Sequence, residues 1–169
     1  MDTLSHALWG SGLFGYRGHW KLAIFFGAMP DLVSFGVLFV VKFFSGSLKY
    51  GGLPTLESLK QLEPFPDWLF FMDNLSHSFL TAFIVIGIAA KFKKELVWPM
   101  LAWPFHIVLD FPFHTKEFFP VKIFWPLSDM HFDGISWSSP EVIIPNCAGI
   151  ILLYIYRYKN LSKPKNLRK

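Results

Sequence analysis

Leu22-Ala-Ile-Phe-Phe-Gly-Ala-Met-Pro-Asp31-Leu-Val-Ser-Phe-Gly-Val-Leu-Phe-Val-Val-Lys42-Phe-Phe44 is the stretch on which the fold turns. A membrane-crossing helix needs about 20 mainly apolar residues at about 1.5 Å of rise each. This run meets that length, with one carboxylate, Asp31, near its middle. Three other runs meet or approach it: Trp68–Ala90, Leu96–Phe113 and Val142–Tyr158. A shorter apolar stretch, Thr3–Tyr16, precedes them and ends at the polar turn Arg17-Gly18-His19-Trp20-Lys21. The pattern predicts an all-α polytopic membrane helix bundle, with four long spans and a short N-terminal helix. Residues 1–169 read as a single membrane-embedded helical domain, with a basic cytoplasmic tail over 159–169.

Composition agrees. Hydrophobic residues make up 53% of the chain and charged residues 17%, with mean hydropathy +0.38; soluble domains average about 25% charged. The net charge of +4 could suggest nucleic acid, but most of the Lys and Arg fall in three places. These are the Arg17 turn, the Lys91–Lys94 loop and the C-terminal tail. That asymmetry is a topology signal, placing these segments in the cytoplasm of a bacterial or archaeal cell, and no nucleic-acid partner is expected. Cys147 alone excludes an intramolecular disulfide and reads as a small core residue. The start of the chain lacks the basic region and cleavage site of a signal peptide. Between the runs, Ser45–Asp67 is expected to hold a short amphipathic helix around Thr55–Leu62. His114–Pro140, rich in Pro, Phe and Trp, is expected to pack over the helix ends.

Ionisable side chains inside a span cost roughly 2.5–3.5 kcal/mol each at mid-depth, so their presence asks for a function. His6, Asp31, His77, His106 and Asp110 all lie within apolar runs, and His114 follows the third. His106 and Asp110 are four residues apart, which sets both on one helical face; His114 continues the stripe beyond Pro112. Counting residues from the loops puts His6, Asp31, His77, His106 and Asp110 at a common height in the outer half of the membrane. No Lys or Arg matches that depth, so cations or protons must neutralise the carboxylates. Imidazole and carboxylate donors at this spacing suit a metal cation, as one ion or two adjacent ions. His19 and His131 read as turn and core residues, Asp73 as a helix cap, and Asp129 and Asp133 as turn formers.

Several separated motifs point to one family. They are Thr3-Leu-Ser-His6-Ala, Gly27-Ala-Met-Pro-Asp31, Ser76-His77-Ser78, His106-Ile-Val-Leu-Asp110-Phe-Pro-Phe-His114, Phe124-Trp-Pro-Leu-Ser128 and Asp133-Gly-Ile-Ser-Trp137. In this order they resemble the membrane-bound predicted metal-dependent hydrolases of the YdjM family. The ligand order is also similar to that of zinc-dependent phospholipase C and the fungal single-strand nucleases. The resemblance implies His6, Asp31, His77, His106, Asp110 and His114 as ligands of a divalent metal, zinc first, as one or two ions. It implies Asp31 and Asp110 as catalytic groups, and hydrolysis of a phosphoester that is lipid or lipid-linked. Membrane lipid is then the partner. Two departures stand out. No later His-x-x-x-Glu completes a third metal position, and Met72-Asp73-Asn74 replaces the His-Arg-Gly common before the second histidine motif. A non-enzymatic metalloprotein and an ion or proton translocator are the rival readings.

Overall fold

The computed structural model describes residues 1–46 and 65–161, and these are helical with no strand ladder. The amphipathic helix expected around Thr55–Leu62, and the tail beyond residue 161, lie outside the described residues. Helix α1 (Thr3–Phe14) starts at Asp2, whose carboxylate accepts from the Ser5 backbone N–H at 2.9 Å. A turn over Gly15–Arg17 leads into α2 (Trp20–Asp31). A π-helical turn, Leu32–Gly36, then joins α2 to α3 (Val37–Phe44). Pro30, lacking an N–H, explains the widened turn that follows it. Its carbonyl instead accepts from Ser34 Oγ at 3.0 Å and from Ser76 Oγ at 3.2 Å.

Next come α4 (Asp67–Ser76) and α5 (Phe79–Phe92), then a short turn over Lys94–Leu96. They are followed by α6 (Val97–Met100), α7 (Ala102–Asp110) and α8 (Pro140–Leu161). The expectation of four long spans is overturned. Among the described residues one helix, Trp20–Phe44, is long and apolar enough to cross a membrane, and at most one more qualifies if a bent pair is taken together. That pair is α4 and α5, which meet at 58°. Ser78 breaks the run by capping α5 through Leu80 N–H and by donating its hydroxyl to Trp125 O at 2.6 Å. The third run is broken at Leu101, between Pro99 and Pro104. The fourth is a single helix of 22 residues, but Pro140, Glu141, Pro145, Asn146, Arg157 and Lys159 shorten its apolar portion. Cys147, expected in the core, is exposed.

Two cores hold the elements together. Leu38, Leu69, Phe118 and Phe119 join α3 and α4 to the loop after α7. Ala82, Trp103, Ile107, Val121 and Ile123 join α5 and α7 to the same loop. That loop is folded back on itself by Gly134 N–H to His114 O (2.9 Å) and Trp137 N–H to Phe113 O (2.9 Å). A Cβ on Gly134 would fall 2.0 Å from Pro112 O, so only glycine fits there. Asp129 and Asp133 tie its surface. Lys116 N–H holds the Asp133 carboxyl below the usual range, and Lys122 Nζ, 2.7 Å away, does the same to Asp129.

The N-terminal hairpin is packed backbone to backbone. A Cβ on Gly10 would lie 2.6 Å from Ala23 O, and one on Gly27 would lie 2.6 Å from His6 O. Small residues permit this approach. Helix α8 closes on α1 through polar contacts: Asn146 donates to Ser5 Oγ (2.7 Å) and accepts from Trp9 Nε1 (2.8 Å). At the far end of α1, Arg157 donates to Gly12 O (2.7 Å) and covers the Tyr16 ring at 4.2 Å. Arg157→Ala should therefore lower stability by about 1.5–3 kcal/mol, the scale of a hydrogen bond to a charged group. Thermal unfolding in detergent measures it, and Arg157→Lys should recover only part of the loss. Outside these contacts the surface is strongly apolar: Leu4, Phe43, Phe44, Phe92, Ile144 and Leu152 are each more than half exposed.

Candidate metal centre

The close hairpin contact at Gly27 places α1, α2 and α7 around one point. Asp31 arrives from the end of α2, where the shared Pro30 carbonyl fixes its neighbour. His77 sits in the α4–α5 break, outside regular helix, so its ring turns inward. His106 and Asp110 enter from one face of α7, as their spacing predicts.

Asp31, His77, His106 and Asp110 bring one donor atom each to within 4.8 Å of all the others. His77 Nε2 and His106 Nε2 are 3.0 Å apart. Asp110 Oδ2 lies 3.0 Å from His106 Nε2 and 3.6 Å from His77 Nε2. Asp31 Oδ1 is slightly farther, 3.7 and 3.8 Å from the same two nitrogens. Tetrahedral zinc with ligands near 2.1 Å has ligand–ligand separations of about 3.4 Å. The observed separations bracket that value, so these residues fit such an ion.

The hydrogen-bond pattern carries the stronger argument. His77 Nδ1–H donates to Asp73 O at 2.9 Å, and His106 Nδ1–H donates to Gly27 O at 2.7 Å. Carbonyls only accept, so in the neutral imidazoles both Nε2 atoms are lone pairs, and they face one another. Among the described residues, Asp110 Oδ2 and Asp31 Oδ2 are buried without a hydrogen-bond partner. Lone pairs and carboxylates converging in a buried space repel unless a cation lies among them. Anchoring the far nitrogen of a ligand histidine to a carbonyl is how metal sites fix tautomer and ring angle.

The remaining predicted residues lie around this group rather than within it. His6 stacks on His106 with ring centroids 3.5 Å apart, and its Nε2 lies 2.9 Å from Asp110 Oδ1. The Met1 amino group reaches the same oxygen. His114 Nε2 is 3.7 Å from Asp110 Oδ2, with its Nδ1–H held by Phe119 O at 2.9 Å. Asp2 caps α1, its carboxylate taken up by Ser5. Asp73 is no N-terminal cap: it is buried late in α4, its carbonyl and its Oδ1 (3.3 Å) both facing His77 Nδ1. Sequence reasoning missed that role, although the four-residue spacing to His77 was the available signal. The part played by the Gly27 carbonyl left no signal at all. No protein-family model, curated protein or solved structure matches this chain.

Proposed function

We propose that this chain is a membrane-embedded metal-dependent hydrolase acting on a phosphoester, lipid or lipid-linked. The observation that carries the metal reading is the facing pair of His77 and His106 Nε2 lone pairs, each ring anchored from behind by a carbonyl. A membrane setting is supported by the helix Trp20–Phe44, only 28% of whose apolar window is buried. The core helix of a soluble protein would be mostly covered. The hydrolase reading rests on the resemblance to the YdjM pattern and on the donor chemistry.

A divalent ion such as zinc, held here by His77, His106 and Asp110, would supply Lewis acidity and an acidified water as nucleophile near neutral pH. The side chains do the rest. His77, His106 and Asp110 hold the three tightest positions. Asp31 is the most exposed of the four at 15%, its Oδ2 lacks a partner, and it stands farthest from the two nitrogens. That placement suits a carboxylate that orients the attacking water and takes its proton. His6 holds the other oxygen of Asp110 and so fixes the carboxylate's angle.

A second reading has one observation in its favour: four protein donors can close a tetrahedron, as structural zinc sites do. Asp31→Asn separates the two. The hydrolase reading expects metal content near wild type and loss of about 10²-fold or more in hydrolysis of bis(p-nitrophenyl) phosphate or a phospholipid panel. A structural ion would instead be lost or loosened, with a parallel fall in Tm. Metal-loaded wild type inactive on every phosphoester offered would overturn the hydrolase.

A further inference from the structure

At the turn between α1 and α2, the end of α1 away from the metal centre, two arginines share one aromatic ring. The Arg17 guanidinium lies 5.6 Å from the centroid of the Tyr16 ring and 3.9 Å over the Trp98 ring. The Arg157 guanidinium covers Tyr16 at 4.2 Å, and Tyr16 meets Trp98 edge to face at 5.6 Å. Four side chains, from the turn after α1, from α6 and from α8, thus form one group. Arg157 directs its donors to carbonyls at the end of α1, Gly12 O at 2.7 Å and Leu13 O at 3.4 Å. Arg17 is exposed. Among the described residues it has no hydrogen-bond acceptor, and neither arginine has a carboxylate partner. The lysine and arginine ion pairs among those residues are Lys116–Asp133 and Lys122–Asp129, both in the loop after α7.

An aromatic ring holds a guanidinium by its face and leaves the N–H edge free. Like charges beside one ring repel, so the arrangement favours an anion at that edge. The guanidinium fork matches two phosphate oxygens at once. Along the same turn Tyr16 is 50% and Trp20 53% exposed, and amphipathic rings of this kind settle at headgroup depth. Lys21 Nζ lies 5.6 Å over the Trp20 ring and adds a third cation. Resting on the membrane setting above, though not on the metal, we infer that this group binds the phosphodiester headgroup of an anionic phospholipid, with Arg17 as its contact residue. Charge decides the class: a zwitterionic headgroup brings an ammonium that Arg17, Lys21 and Arg157 repel. His6 stands roughly 15 Å from Arg17 along α1. A lipid held at the turn therefore sets the depth of the metal centre below that surface.

Thermal unfolding of the full-length protein in a neutral detergent tests this, because a ligand of the folded state raises Tm by mass action. Dioctanoyl phosphatidylglycerol should raise the wild-type Tm saturably, and dioctanoyl phosphatidylcholine should not. Arg17→Gln removes no internal hydrogen bond and should still melt cooperatively. Its half-saturating phosphatidylglycerol concentration should rise about fivefold, the factor one basic residue contributes at an anionic surface. Arg17→Lys, which keeps the charge but not the planar fork, should fall between. Lys116→Gln takes one positive charge from the loop after α7 and should respond as wild type does. Inorganic phosphate at the same concentrations should have little effect; a response equal to that of phosphatidylglycerol would assign a water-borne anion and overturn the lipid. Equal responses to the two lipids, or a loss in Lys116→Gln as large as in Arg17→Gln, would overturn the headgroup site and leave the membrane setting standing. A chain that stays monodisperse without detergent would overturn that setting and the site with it.

Discussion

His106→Ala should abolish metal binding, taking the content of purified protein from about one equivalent to less than about a tenth. Loss of groups that merely orient a ligand typically costs 10–100-fold in affinity, and here a donor itself is removed. The site would keep two buried carboxylates and one imidazole, with less to hold a cation. A ligand present at about 100 times its Kd contributes about 2.7 kcal/mol to the folded state. Chelation should therefore lower the wild-type Tm by several degrees and leave the Tm of His106→Ala unmoved. Elemental analysis and paired melting curves, with and without chelator, read both quantities. Asp110→Ala should behave in the same way, with a further penalty because His6 and the Met1 amino group lose their shared partner. Unchanged metal content in both variants would remove the proposed centre.

Gly27→Ala should damage the N-terminal hairpin and the site together. The new Cβ would meet the His6 carbonyl at 2.6 Å and crowd the Cα of Gly10 at 3.4 Å. Those are backbone atoms, so one helix must move off the other. Overpacking of this kind typically costs about 1–3 kcal/mol. The movement also carries off the Gly27 carbonyl that holds His106 Nδ1 at 2.7 Å. Metal affinity should fall with stability, although residue 27 donates nothing to the ion. Gly87→Ala is the control: a Cβ there meets nothing within 4 Å. Replacing that mid-helix glycine should stabilise by about 0.5–1 kcal/mol and leave metal content alone. Equal effects at the two positions would show that close packing of the hairpin has no bearing on the site.

The residues that meet at the site could be read from the chain because ionisable groups in apolar runs are costly wherever they fall. His106 and Asp110 share a face by spacing alone, and their helix delivers both. The architecture was less legible. Hydropathy registers how apolar a run is but not where its backbone turns, so Trp68–Ala90 looked like one rod. Its elbow depends on Ser78, whose capping role is hidden between apolar neighbours, and on a loop carbonyl, Trp125 O, distant in sequence. Pro99 and Pro104 interrupt the third run, but proline is common enough in membrane helices that its presence alone does not announce a break. The anchors on the far side of each imidazole are backbone carbonyls. Every residue has one, so no residue type announces them.

The elbow between α4 and α5 has a consequence for how the protein assembles. His77 occupies it, while the other donors come from the first and third apolar runs, so a bound ion would tie together segments far apart along the chain. Such a tie acts as a cross-link: it removes freedom from the unfolded ensemble, and for covalent links across loops of this size the gain is about 3–4 kcal/mol. Stripping the ion should therefore cost cooperativity as well as stability. The rod and the elbow would then come apart in separate steps where the loaded protein gives way in one.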